Sequence, residues 1–222
     1  EDMVILKRFG REHNFYFYLQ SGGADTVVPL EGNFKSLSYD MDGLVIQFSP
    51  GDFTQINSEV NEAMVKKVLE YLEPEKDDKI LDLYCGIGNF SLPMAANGSK
   101  VKGYELNQNM VSTAKMNAEN NGMFSCEFFT FDLNDVYALD SLNIGGMNKV
   151  LLDPPRSGAN AVFEALCFKN VDQLVYVSCN PFTFSRDAGI LKRQHAFKLK
   201  EVGVLDMFPQ TSHFESIGFF AK

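Results

Sequence analysis

The sequence predicts an α/β protein built on a mostly parallel sheet, and three observations predict it. From residue 79 onward, short apolar runs alternate with helix-patterned stretches, the pattern of βαβ units. The first run turns into its helix through Asp82-Leu-Tyr-Cys-Gly-Ile-Gly-Asn-Phe90, where Gly86 and Gly88 allow a tight bend. The next three runs end on acids, Glu105, Asp132 and Asp153, at the edge where open α/β sheets bind ligands.

Residues 1–50 read differently. Segments 14–19, 26–30 and 44–48 are short, aromatic and β-branched, with Gly, Asp and Asn between them, and predict a small antiparallel β lobe. A polar connector, 51–57, leads to a helix in which Val60, Met64, Val68 and Leu72 recur every fourth residue. Asn57 or Ser58 caps that helix and Pro74 stops it. Strands are then predicted at 79–84, 100–105, 126–131, 149–153 and 173–179. Helices are predicted near 89–97, 107–121, 159–169 and 182–194. Two last strands, 198–206 and 214–220, have no helix between them and are expected to pair antiparallel at one edge, which makes seven. The division expected is a β-rich lobe over residues 1–56 and a catalytic domain over 57–222.

Of the 222 residues, 45% are hydrophobic and 22% charged, which is ordinary globular composition. No apolar run approaches the roughly 18 residues of a membrane span. The four cysteines are dispersed, with no CxxC pair, so neither a zinc site nor a disulfide framework is expected. Cys85, Cys126 and Cys167 read as small buried residues of a reducing, cytoplasmic protein. The net charge of −9 argues against a uniformly basic nucleic-acid surface. Basic residues gather at Lys66-Lys67 and from Lys192 to Lys200, the usual pattern of solvated faces. The first residue is Glu1, so these residues are expected to be part of a longer chain.

Chemistry concentrates at the strand ends. Glu105 stands about 20 residues beyond the glycine turn, where an acid can accept both hydroxyls of a ribose, and Asp132 can receive an adenine amino group. Ser91 replaces the third glycine of the dinucleotide fingerprint and no GK[ST] follows, so a phosphate loop is excluded. NAD and S-adenosylmethionine both suit such a pocket. Asp153-Pro-Pro-Arg156 stiffens the fourth strand's exit. Val175-Tyr-Val-Ser-Cys-Asn-Pro181 ends the fifth strand on Cys179, beside a helix N-terminus that would favour a thiolate. A cysteine in an apolar run is ordinarily inert core; its place at the crevice makes it a candidate nucleophile. A thiolate adding to carbon 6 of a uracil turns carbon 5 into a nucleophile, and a base later removes the carbon-5 proton. Glu215, in Ser212-His-Phe-Glu-Ser216, is the candidate base, because burial there would raise its pKa. His213 is the alternative.

These residues, together with Phe48-Ser-Pro50, Phe53-Thr-Gln-Ile-Asn57, Leu151-Leu-Asp-Pro-Pro-Arg-Ser-Gly158 and Leu205–Ser216, carry a resemblance. The chain resembles the bacterial RNA uracil-5 methyltransferases, in the ribosomal-RNA branch more than the transfer-RNA branch, from about residue 14 to the end. The resemblance implies a class I (Rossmann-like) S-adenosylmethionine methyltransferase fold. It implies that Cys179 is the nucleophile and Glu215 the base. Gln55, Tyr84, Asn89, Glu105, Asp132 and Asp153 match cofactor positions, with Gln55 and Asp153 also holding the uracil. The partner implied is 23S ribosomal RNA, and a monomer is expected. Family members carry an OB-like RNA-binding domain and the ribosomal branch a four-cysteine iron–sulfur site. No cysteine precedes Cys85, so both would belong outside these residues, and much of the RNA affinity with them. The alternatives are a transfer-RNA uracil-5 methyltransferase, a cytosine-5 RNA methyltransferase (whose second cysteine near Asp-Pro-Pro is absent), and a silent RNA-binding module.

Overall fold

The structure is a computed structural model that describes residues 1–23, 26–33, 35–142 and 144–222. The N-terminal lobe opens on a helix, α1 (Asp2–His13), outside the β segments expected there. Its apolar residues Met3, Val4, Ile5 and Phe9 stay exposed. Asn14 adopts the left-handed conformation (φ 58°, ψ 39°) and reverses the chain. Strand β1 (Tyr18–Gln20) then pairs antiparallel with β2 (Val27–Pro29). A second hairpin, β3 (Leu37–Met41) and β4 (Leu44–Phe48), turns through Asp42 and Gly43 at φ 54° and 85°, the positive values a two-residue hairpin requires.

Helix α2 (Ser58–Leu72) starts where the sequence places it. The Asn57 side chain accepts from Val60 N at 3.2 Å, and Glu73 ends the helix in the left-handed region just before Pro74. The doubly wound unit then runs β5 (Lys79–Leu83), α3 (Ser91–Ala95), β6 (Lys100–Glu105), α4 (Gln108–Asn120) and β7 (Cys126–Thr130). It continues with α5 (Val136–Leu139), β8 (Lys149–Leu152), α6 (Asn160–Ala165), β9 (Gln173–Ser178), α7 (Pro181–Gln194), β10 (Lys198–Leu205) and β11 (Glu215–Ala221). The seven-stranded sheet has the order β10-β11-β9-β8-β5-β6-β7. Only the β9–β11 and β11–β10 pairs are antiparallel. The expected edge pair therefore forms, with β11 inserted beside β9 and β10 outermost. Among the described residues no helix is long and apolar enough to cross a membrane.

One face of the sheet buries α2, α3 and α4, and Met41 and Ile46 of the β3–β4 hairpin join that core. The other face buries Phe163, Phe168, Leu191 and Phe197 around α6 and α7. Helix α6 is shorter than its sequence pattern because the chain leaves it at Leu166 to insert Phe168 against Phe163 and His195. Cys167 consequently points outward and is exposed, not buried as the sequence predicts. Cys85 is core, and Cys126 is half-buried with its thiol pushed up by burial.

Two buried acids hold the strand ends that carry the site. Asp187 on α7 accepts from Tyr176 Oη of β9 at 2.7 Å, from Ala159 N at 2.9 Å and from Arg186 Nε at 2.8 Å. Asp187→Ala would leave the buried Tyr176 hydroxyl and Ala159 amide unpaired, so a loss of about 3 kcal/mol of unfolding free energy is expected in denaturant titration. Asp82, in the middle of the sheet, bonds Ser91 Oγ, and burial pushes its carboxyl from 3.8 up to about 7 despite that bond. Between those values the unfolded chain loses the proton that the folded chain keeps. This contribution to stability is complete below pH 3.8 and lost as pH rises through about 7. Asp82→Asn should flatten the fall of Tm between about pH 4 and 7 measured by calorimetry; an unchanged slope would mean that Asp82 ionises freely.

Candidate active site

The turn after β5 is set by its neighbour strand. Tyr84 N and Cys85 N both donate to the Tyr104 carbonyl of β6, at 2.9 and 3.1 Å. This forces Tyr84 to φ 66°, and Gly86 and Gly88 follow at 57° and 92°. At Gly88 a Cβ would stand 2.6 Å from Leu92 Cδ1, so glycine is required both by conformation and by the approach of α3. Glu105, at the end of β6, points back into this turn. Its carboxylate accepts from Gly86 N at 3.3 Å and from Asn107 N at 2.9 Å.

Beyond these strand ends lies a cavity of about 580 Å³. Of the eight residues the sequence singles out, Gln55, Tyr84, Glu105, Asp153, Cys179 and Glu215 line it together. Asp132 and Asn89 do not line it. Asp132 is exposed and accepts from Asn134 N at 2.9 Å, while its neighbours Phe131, Leu133 and Asn134 do reach the cavity. Asn89 faces the other side of the turn. Its Oδ1 accepts from Tyr39 Oη and Asn61 Nδ2, both at 2.8 Å, and its Nδ2 donates to Asn61 Oδ1 at 3.0 Å. Phe53, Phe208 and the Arg156 side chain complete the wall and were not assigned from sequence. Each lies within a segment that the sequence marks, but only the folded loops bring them across from one another.

Sheet register brings the two candidate catalytic groups together. Ser216 of β11 sits opposite Ser178 of β9. The same antiparallel register, continued one residue, sets Glu215 opposite Cys179. Burial raises the Glu215 carboxyl, as its place in the sequence predicts. Burial, then Glu215, pushes Asp153 up to about 8. The Cys179 thiol is raised, contrary to the thiolate expected beside a helix N-terminus. Burial is the largest cause, Glu215 and Asp153 add to it, and Arg156 opposes it only in part. The N-terminus of α7 is also already occupied, because the Asn180 side chain accepts from Phe182 N at 3.1 Å. His213 lines the same cavity with its ring edge-on to Phe208, the centroids 6.2 Å apart. Tyr84 Oη is buried with no hydrogen-bond partner, and burial raises its pKa. Among the described residues no cluster of His, Cys, Asp or Glu side chains could hold a metal ion, so an iron–sulfur cluster has no ligand set here.

The family model of tRNA (uracil-5-)-methyltransferases matches residues 30–222. A 23S rRNA (uracil(1939)-C(5))-methyltransferase of Stenotrophomonas maltophilia is 44% identical over the whole chain, and its namesake in Legionella pneumophila is 42% identical. The chain spans about half the length of these relatives (50% and 51%). Among solved structures, the Pyrococcus abyssi tRNA (uracil-54, C5)-methyltransferase in complex with S-adenosyl-L-homocysteine superimposes with a TM-score of 0.78 at 29% identity. The match covers 93% of this chain and 50% of that one. A Pyrococcus horikoshii TYW2 in complex with MeSAdo shares the fold, with a TM-score of 0.67 at 13% identity over 99% of this chain and 82% of that one. With a family model matched over most of its length and relatives above 40% identity throughout, the chain belongs to the tRNA (uracil-5-)-methyltransferase family.

Proposed function

We propose that the protein methylates carbon 5 of a uridine in RNA, with S-adenosylmethionine as methyl donor and 23S ribosomal RNA as substrate. The support for this is the β9–β11 register, which pairs Ser178 with Ser216 and leads on to Cys179 and Glu215, in the cavity that also contains Asp153 and Glu105. The residues present fit the cofactor. The glycine turn leaves backbone open to a ligand, Glu105 stands at the end of β6 for ribose hydroxyls, and the cavity has small-molecule size. Residues 57–222 carry the chemistry in this reading, and the 1–56 lobe contributes Phe53 and Gln55 to the cavity. A monomer acting in the cytoplasm completes this reading.

When bound, S-adenosylmethionine supplies an electrophilic methyl group to carbon 5. The chain's residues do the rest. The Cys179 thiol loses its proton to solvent water and its sulfur bonds to carbon 6, sending the ring electrons toward the carbon-4 carbonyl as an enolate. Asp153 keeps its proton up to about pH 8, so it can donate a hydrogen bond to a uracil carbonyl. Gln55 offers an amide donor and acceptor to the ring edge or to the cofactor. After methylation, the Glu215 carboxylate takes the carbon-5 proton. The carbon–hydrogen electrons re-form the ring double bond as the carbon–sulfur bond breaks and returns its pair to Cys179. Incubating the protein with labelled S-adenosylmethionine and either ribosomal or transfer RNA, followed by nucleoside analysis, tests the reading. 5-Methyluridine from ribosomal RNA is expected; 5-methylcytidine or no labelled nucleoside would overturn it.

Two further outcomes separate cofactor from chemistry. Glu105→Ala should weaken S-adenosylmethionine binding by about 1–3 kcal/mol, read by calorimetry, because ribose donors lose their acceptor. Unchanged affinity in a folded variant would remove the ribose assignment. Cys179→Ala should abolish both turnover and any covalent RNA adduct while leaving cofactor binding intact. Glu215→Gln should instead accumulate a methylated RNA–protein adduct that survives denaturing electrophoresis. Wild-type turnover in Glu215→Gln would hand the base role to another group, with His213 the nearest choice in the cavity.

A further inference from the structure

The cavity that holds Cys179 is poorly suited to holding phosphates. Glu105, Asp153 and Glu215 line it against one guanidinium, Arg156, and the whole chain carries a net charge of −9. Affinity for a phosphate backbone comes from cations that displace its counterions. The cations elsewhere are mostly committed or isolated. Lys66 is paired with Glu62 at 2.6 Å, and Lys67 with Glu70. Those of residues 192–200 stand beside buried Phe197, the exposed aliphatic Leu199 and His195, whose ring is committed to Phe168 and the Phe163 carbonyl.

A second cavity, of about 530 Å³, lies in the N-terminal lobe between α1, the segment 14–18 and the segment 29–35. Among the described residues, Lys7, Arg11 and Lys35 line it against one carboxylate, Glu31, which stands 3.6 Å from Arg11. Among the described residues Lys7 and Lys35 form no ion pair. The same wall exposes two aromatic rings, Phe15 at 59% and Tyr16 at 55%, and Lys35 Nζ lies 4.6 Å from the Tyr16 ring centroid. The rings are held in place rather than tethered loosely. Asn14 reverses the chain, Phe15 N donates to Gly10 O at 2.9 Å, and Gly10 lies so close that a Cβ there would meet Phe15 O at 2.9 Å.

Exposed rings beside unpaired cations in a preformed hollow are the arrangement that holds single-stranded nucleic acid, with bases on the rings and phosphates on the cations. We propose that this lobe cavity binds an unstacked nucleotide of a single-stranded RNA segment, its base on Tyr16 and its phosphates against Lys35 and Lys7. The inference rests on the reading of the protein as an RNA methyltransferase and locates part of the RNA affinity that the acidic catalytic cavity cannot supply.

The chain contains no tryptophan, so in Tyr16→Trp the indole is the sole one and reports on its own surroundings. The full chain is titrated with a labelled uridine-rich oligoribonucleotide, and anisotropy and indole fluorescence are read together. The indole should be quenched with the same midpoint as the anisotropy change. Tyr16→Ala should weaken RNA binding roughly 5- to 100-fold, and Lys7→Gln and Lys35→Gln should each lower the salt slope by about 1. Affinity for S-adenosylmethionine should not change in any of them. Several results would overturn the inference: an unquenched indole at saturating RNA, wild-type affinity in Tyr16→Ala, no RNA binding by the wild-type chain, or equal quenching by polyglutamate, which would mark an acidic-peptide surface. Failure of the methyltransferase reading shows separately, as absence of 5-methyluridine in the wild-type reaction.

Discussion

The side-chain amide of Asn117, fully buried on α4, is the interaction on which the arrangement of the site depends. Its Oδ1 accepts from Gln47 N at 2.9 Å, and its Nδ2 donates to Gln47 O at 3.0 Å and to Ile87 O at 3.1 Å. Asn121, one turn later, repeats the pattern with Val45, donor and acceptor both at 2.9 Å. Two side-chain amides thus act as a short neighbouring strand for β4 and satisfy an edge that would otherwise face the interior unpaired. The third bond fastens the carbonyl between Gly86 and Gly88. From the same hairpin Tyr39 reaches Asn89, which Asn61 on α2 also holds. The glycine turn is therefore clamped from behind by the hairpin, α2 and α4, leaving its open side to the cavity. A buried unsatisfied polar group costs about 1–3 kcal/mol, so these bonds act together or not at all.

In front of the turn, the governing quantity is the number of protons. Asp82, Asp153, Glu215 and Cys179 are all raised, and burial is the largest cause at each. The groups that favour anions, Arg156 and the first turn of α7, are too few and partly occupied to reverse this. Water-poor surroundings keep protons on acids, and acids that share a site raise one another. A cavity of this kind suits a reaction that moves a proton off a thiol at one step and onto a carboxylate at another. Activation of the thiol then depends on what substrate and cofactor add to the cavity rather than on a standing thiolate. The positive charge of a sulfonium, were one bound in the cavity, would act in that direction.

In the reading proposed above, the two cavities divide the electrostatic task. The acidic one sits at the sheet edge and its groups are fixed by strand register; the cationic one sits in a lobe whose helix and hairpin are joined by a few backbone bonds. Around the lobe cavity Lys7, Arg11 and Lys35 face Glu31, whereas around the sheet-edge cavity Glu105, Asp153 and Glu215 face Arg156.

The sequence by itself determined the strands from residue 79 onward and every helix among them except the short α5, the cap at Asn57 or Ser58, the glycine turn and the acids at the strand ends. These are local matters: hydrophobic period, capping chemistry and backbone freedom act over a few residues. The motif spacing also marked Cys179 and Glu215, but as separate segments. Tertiary structure alone decided that β11 inserts beside β9 in the register that sets them opposite each other, because register depends on pairing between segments more than thirty residues apart in the chain. It alone turned Asn89 away from the cavity, since its bonding partners come from the hairpin and α2. It brought Phe53, Phe208 and Arg156 to one wall and raised rather than lowered the Cys179 thiol. Each of these rests on burial or on a neighbour distant in sequence, and neither is encoded in a local pattern.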